Sequence, residues 1–225
     1  MTAGGVSGAA AARAGGPPLV GPLTAGLRLA RLHVASRRVP AAVVAIAASA
    51  TGLGIALAAG SWDSYGALQL PLVFEAGCAA VIAVTTASPL GEPERVAGRW
   101  LPFLRLATVL ALTAAAVAAL AAAGTGAHLA GGALDVLRNV AGMTGFGLLC
   151  AAVAGGGLAW AGPVGYLVAG VYALYTQWHG PALTTPWLWP ARPPHDLGAA
   201  VCAGLVFAVG LAVITVRGAR DPAGE

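Results

Sequence analysis

The sequence predicts an all-α integral membrane protein, with six transmembrane helices preceded by an N-terminal amphipathic interfacial helix. Three observations carry that prediction. Hydrophobic residues make up 58% of the chain and charged residues 9%, with a mean hydropathy of +0.81, so a water-facing globule would lack the polar surface to cover itself. Six apolar runs long enough to cross ~30 Å of hydrocarbon follow one another between short polar connections. Arginines gather at the ends of alternate runs, as expected where the bilayer sets chain orientation.

The first 22 residues are small, glycine-rich and closed by prolines, which predicts a disordered tail at 1–22. The stretch 23–38, LTAGLRLARLHVASRR, reads as a helix lying on the membrane surface. Leu23, Leu27, Ala30 and Val34 share one face, flanked by Arg28 and Arg31. The spans are predicted at about 40–60, 66–90, 101–123, 137–155, 158–177 and 197–216, with a short cytoplasmic tail at 218–225. Pro40 suits a helix start. Gly155, Gly156 and Gly157 predict a tight turn that makes the fourth and fifth spans an antiparallel pair. Five prolines at 181, 186, 190, 193 and 194 forbid a continuous helix before the sixth span. The spans and their loops use nearly the whole 225 residues, so 23–217 reads as one membrane domain.

If the spans alternate, nine arginines, at 13, 28, 31, 37, 38, 95, 99, 217 and 220, fall on one side and Arg138 and Arg192 toward the other. The richer side is predicted to be cytoplasmic, with both termini there and the chain in the plasma membrane. Trp62, Tyr65, Trp178, Trp187 and Trp189 then form an aromatic belt at the outer interface. The net charge of +4 follows from this boundary bias, and nucleic acid is not an expected partner. All twelve basic residues are arginine, and alanine and glycine dominate, a bias of GC-rich genomes such as those of actinobacteria.

Glu75 is the residue with most to explain, because a carboxylate about nine residues into a span is costly unless neutralised or paired. It reads as a structural ion pair with Arg138, beside which Asn139 lies, or as a protonated carboxyl. Lining a substrate path and coupling to protons are the other readings. Small residues recur at Ala200, Gly204, Ala208 and Ala212, and Gly142 and Gly145 open a groove in the fourth span. Such faces let helices approach closely, either within the chain or at a seam with another subunit. The cysteines at 78, 150 and 202 read as packing residues, and the four histidines are not paired on one helix face, so neither a metal nor another cofactor is expected. No catalytic signature is present, and the absence of lysine excludes a P-loop, whose lysine contacts nucleotide phosphates.

A basic surface helix leading into six spans, a charged first cytoplasmic loop and a proline-broken outer segment before the last span together form a layout that resembles the ABC-2 type permease subunits of ABC exporters. The segments LRLARLHVASRRVPAA, EAGCAAVIAVTTASPLGEPERVAGRWLPFLRL, LRNVAGMTGFGLLCAAVAGGGLAWAGPVGYL and WPARPPHDLGAA are similar to actinobacterial membrane proteins described as ABC transporter components. The resemblance implies a subunit without enzymatic activity of its own, driven by a separate ABC ATPase and paired with a second copy or a second permease. It implies that residues 91–99 form the ATPase-contacting loop, in which Glu92 and Glu94 precede Arg95 and Arg99, in an order that suits a short helix dipole. The bland reading of those charges is a solvated turn held at lipid headgroups. Residues 181–196 would match the family's outer re-entrant portion. A structural or regulatory membrane protein that assembles with another complex is the alternative function.

Overall fold

The computed structural model describes residues 38–62, 66–86, 101–125, 129, 131–176, 185–217 and 219. The predicted tail at 1–22, nearly all of the predicted interfacial helix, the loop 91–99 and residues 220–225 lie outside the described residues.

Six helices follow one another: α1 (Val39–Ala59), α2 (Gly66–Val84), α3 (Leu101–Gly124), α4 (Gly132–Ala154), α5 (Ala161–Thr176) and α6 (Leu197–Arg217). Two short 3-10 turns, Gly156–Leu158 and Trp189–Ala191, precede α5 and α6. There is no strand among the described residues. Among the described residues, six helical segments are long and apolar enough to cross a membrane, the fifth reached by adding the turn before α5, which makes the chain a multi-pass membrane protein. Each segment overlaps an apolar run read from the sequence; α2 ends at Val84, short of the expected 90, with Thr85 and Thr86 in a turn and residues 87–90 outside the described residues. Helix α1 carries proline in its first turn, where the missing N–H costs nothing. Helix α4 ends at Gly155, whose φ of 89° is open to glycine at little cost, and the turn after it sends the chain back as α5.

The start of α4 corrects the expected boundary near Leu137. The helix begins at Gly132 and so takes in both Asp135 and Arg138. These two stand one turn apart and pair with each other, so their charges do not end the helix.

Contacts between helices give their directions. Glu75 of α2 meets Asn139 of α4, and Ala83, eight residues further along α2, meets Gly147, eight residues further along α4, so these helices run parallel. Gly142 lies against Ala203, and Gly145 against Phe207, so α6 runs the same way. The start of α5 touches Phe146 and Cys150 of α4, and Gly170 further along touches Leu72, so α5 runs in the opposite sense. Helix α4 stands in the middle. In its central stretch 61% of residues are buried by protein, against 22% in α1 and α6, so the helix that carries charge and amide groups is the one shielded from lipid.

Bundles in lipid are held by close packing rather than by a hydrophobic drive between helices. Here the close approach is at Gly145 and Gly210. A Cβ at Gly145 would stand 2.6 Å from the Val206 carbonyl oxygen and 2.7 Å from the Phe207 Cα, and one at Gly210 would stand 2.7 Å from the Gly145 carbonyl oxygen. The packed face of α6 is therefore Ala199, Ala203, Gly210 and Ile214, all buried. The small residues expected to pack, Ala200, Gly204, Ala208 and Ala212, are all exposed, and nothing among the described residues comes near Gly204.

Gly145→Val should thus destabilise the chain by about 1–3 kcal/mol through overpacking against backbone that has no room to move. Gly204→Ala should stay within about 0.5 kcal/mol or stabilise slightly, since it adds helix propensity without a clash. Thermal unfolding of the two variants in detergent measures both, and equal midpoints would contradict this crossing.

Candidate functional site: a polar cleft beneath a folded-back segment

Buried charged and amide groups collect between the middle of α2, the first half of α4 and the segment before α6. Glu75 lies nine residues into α2, ~14 Å along the helix, and Asn139 seven residues into α4, ~10 Å along it. Both are buried, at 2% and 4% exposure. The Asn139 side-chain amide donates to Glu75 Oε2 at 2.9 Å. Arg138, the preceding residue, points about 100° further round the helix and makes a different set of bonds. Its Nη2 pairs with Asp135 and donates to the Arg192 carbonyl at 3.2 Å, while Nη1 donates to the Pro193 carbonyl at 2.9 Å.

The expected Glu75–Arg138 pair is thereby corrected. The three residues gather in one region, but Arg138 neutralises Asp135 and Glu75 is held by Asn139. Two features account for the difference: the earlier start of α4, which supplies Asp135 a turn before Arg138, and the nearby carbonyls of residues 192 and 193, which draw the guanidinium away from α2.

Those carbonyls belong to residues 185–196, which fold back into the bundle. Trp189 carries the contact. It is fully buried, seated over Gly142 with its ring 4.3 Å from that of Tyr166 and 5.7 Å from that of Phe146, centroid to centroid. Gly142 is ten residues into α4, ~15 Å, so the indole reaches about half the hydrocarbon thickness. This corrects its assignment to the interfacial belt; Trp62 and Trp187 are exposed, but Trp189 turns inward because Gly142 leaves the space of a side chain open beneath it. Tyr166 Oη donates to the Trp187 carbonyl at 2.7 Å, and Arg192 Nε donates to Asp196 Oδ2 at 2.6 Å. Asp196 also accepts the Ala199 N–H at 3.0 Å and so caps α6. That backbone bond, followed by the Arg192 contact, holds the Asp196 carboxyl below its ordinary value. A depressed carboxylate stabilises the fold above the ordinary aspartate range and loses that contribution as pH falls through its lower folded value.

A cleft of about 30 Å³ opens between α2 and α4. Its walls include Ala67, Pro71, Glu75, Asp135 and Asn139, with Pro190 of the folded-back segment over one side. The space admits water. The Asn139 side-chain oxygen, the Arg138 Nε and the Trp189 indole N–H are buried without a hydrogen-bond partner among the described residues. Each such group costs about 1–3 kcal/mol unless water or a ligand satisfies it. No cluster of three or more histidine, cysteine, aspartate or glutamate side chains suited to a metal ion occurs among the described residues.

Of the other residues singled out from sequence, Gly142 and Gly145 serve packing within the chain, against Trp189 and α6. Glu92, Glu94, Arg95 and Arg99 lie outside the described residues. Asp135 was missed, although its spacing three residues before Arg138 is legible as a helix pair. Tyr166 was missed, and Trp189 was placed at the interface, because only tertiary contact brings them to Gly142 and Phe146. No protein-family model, curated protein or solved structure matches this chain.

A double-mutant cycle separates the two polar pairs. Arg138→Gln should cost about 3–5 kcal/mol, since it strands the Asp135 charge. Asp135→Asn combined with Arg138→Gln should cost less than the sum of the single changes, with a coupling energy larger than that of the Glu75→Gln and Arg138→Gln combination. Unfolding in detergent provides the measurement; strict additivity for Asp135 and Arg138 would contradict the assignment.

Proposed function

We propose that this chain is the membrane-spanning permease subunit of an ATP-driven ABC-type exporter, energised by a separate ATPase subunit. The observation that carries the reading is the return of residues 185–196 into the bundle above a polar cleft. Non-helical backbone is tolerated at membrane depth only where protein or a cavity satisfies its polar groups. A segment so held, just before the last span, agrees with the outer re-entrant portion implied by the resemblance to ABC-2 type permeases, although it forms a 3-10 turn rather than a helical hairpin.

The remainder of the reading rests on sequence. A chain without lysine has no P-loop and must borrow its energy, and the loop 91–99 is the charged segment available to receive it. The arginine bias supports a plasma-membrane orientation with both termini cytoplasmic and the cleft opening outward. The face of α6 formed by Ala200, Gly204, Ala208 and Ala212 is exposed among the described residues and suits close pairing with a second copy or a second permease. That same face also suits a structural or regulatory protein that only assembles with another complex.

Purification from native membranes, followed by reconstitution with any co-purifying ATPase, distinguishes the two. The exporter reading expects a partner bearing Walker motifs whose ATP hydrolysis is stimulated by the chain. It expects the Arg95→Glu, Arg99→Glu double variant to lose at least about tenfold of that stimulation, ~1.4 kcal/mol, while remaining folded. Partners that all lack nucleotide-binding motifs would favour the assembly reading.

A further inference from the structure

We infer that the cleft between α2 and α4 binds one small monovalent cation, of the size and hardness of Na⁺, through the Glu75 carboxylate, the Asn139 side-chain oxygen and the backbone carbonyl of Ala67. Charge gives the first argument. The ionisable groups at the cleft are Glu75 and Asp135 in its walls and Arg138 behind Asp135. Asp135 is balanced by Arg138 and stands in the first turn of α4, where the helix dipole also favours an acid. Glu75 has no cationic partner among the described residues. It lies beyond the reach of the α2 dipole and accepts from the Asn139 amide. When Glu75 is ionised the cluster carries one negative charge in excess, and a bound cation competes with a proton for that carboxylate.

The second argument is the kind of polar atom left over. Asn139 spends its amide N–H on Glu75, so its oxygen faces the buried region as an acceptor without a partner, on a residue only 4% exposed. Pro71 sits inside α2 and has no N–H to give to the carbonyl four residues before it, that of Ala67, and both residues line the cleft. The Glu75 carboxylate contributes the third kind of oxygen. Carboxylate, amide and peptide oxygens around a small space are what a hard cation takes, and a proline-interrupted helix that frees a carbonyl at membrane depth is a recurrent means of supplying one. A proton on Glu75 can be shared with the Asn139 oxygen but leaves the Ala67 carbonyl as it was. The inference does not depend on the exporter reading, because it concerns binding by the isolated chain.

The test uses the full chain purified in detergent, with NaCl exchanged for choline chloride at constant ionic strength. Na⁺ should raise the unfolding midpoint saturably, and equilibrium binding of radioactive Na⁺ should approach one ion per chain. Glu75→Gln keeps the shape and an acceptor for Asn139 but should abolish the Na⁺ response. Pro71→Ala, which restores a donor to the Ala67 carbonyl and alters no charge, should weaken Na⁺ binding by about tenfold. Circular dichroism and size-exclusion profiles confirm that each variant is folded before binding is compared. An unfolding midpoint that responds equally to Na⁺ and choline, a Na⁺ response unchanged in Glu75→Gln, or a response to pH alone would overturn the inference.

Discussion

A guanidinium among apolar helices must find acceptors within its own reach, and the way Arg138 does so organises this molecule. One side of the group pairs with Asp135 a turn earlier in α4, and the other draws in the carbonyls of Arg192 and Pro193. Since those residues lie just before α6, the arginine fastens the last connection to the central helix. Trp189 is then brought over Gly142, Pro190 is placed at the cleft, and Asp196 is left at the first turn of α6 as its cap. A helix end, a buried aromatic cluster and a polar cleft all follow from bonds made by one side chain.

The cleft exists because α2 and α4 each present polar groups to the other at similar depth. Asn139 turns toward Glu75 while its neighbour Arg138 turns away, so two charged clusters lie side by side without merging. Lipid cannot solvate either one, and α4 is accordingly the most enclosed helix. The most apolar helix, α6, stands at the periphery and approaches α4 along the seam where glycine faces glycine.

The six helices were legible because lipid demands a continuous apolar run, a signal that needs no tertiary information. Their starts and ends were less so. The fourth span was expected to begin near Leu137, after Asp135, yet Asp135 and Arg138 cancel locally and the helix begins before both. Glu75 and Asn139 could be placed at a common depth by counting residues, but which residue faced which depended on the rotation of α4, which hydropathy does not encode. The spacing of Ala200, Gly204, Ala208 and Ala212 marked a small-residue face without saying what it meets, and the chain packs through the neighbouring face. Trp189 looked interfacial because it lies in a proline-rich connection; only the space above Gly142 and the rings of Phe146 and Tyr166 explain its burial.

The central claim is that Arg138 holds the folded-back segment and thereby keeps Trp189 inside the bundle. The most direct measurement is fluorescence of a chain in which Trp189 is the sole tryptophan, the other five replaced by phenylalanine. The account predicts a blue-shifted emission shielded from an aqueous quencher, and a red shift with several-fold stronger quenching when Arg138→Gln is added while helix content is retained. Emission and quenching unchanged by the loss of Arg138 would contradict it.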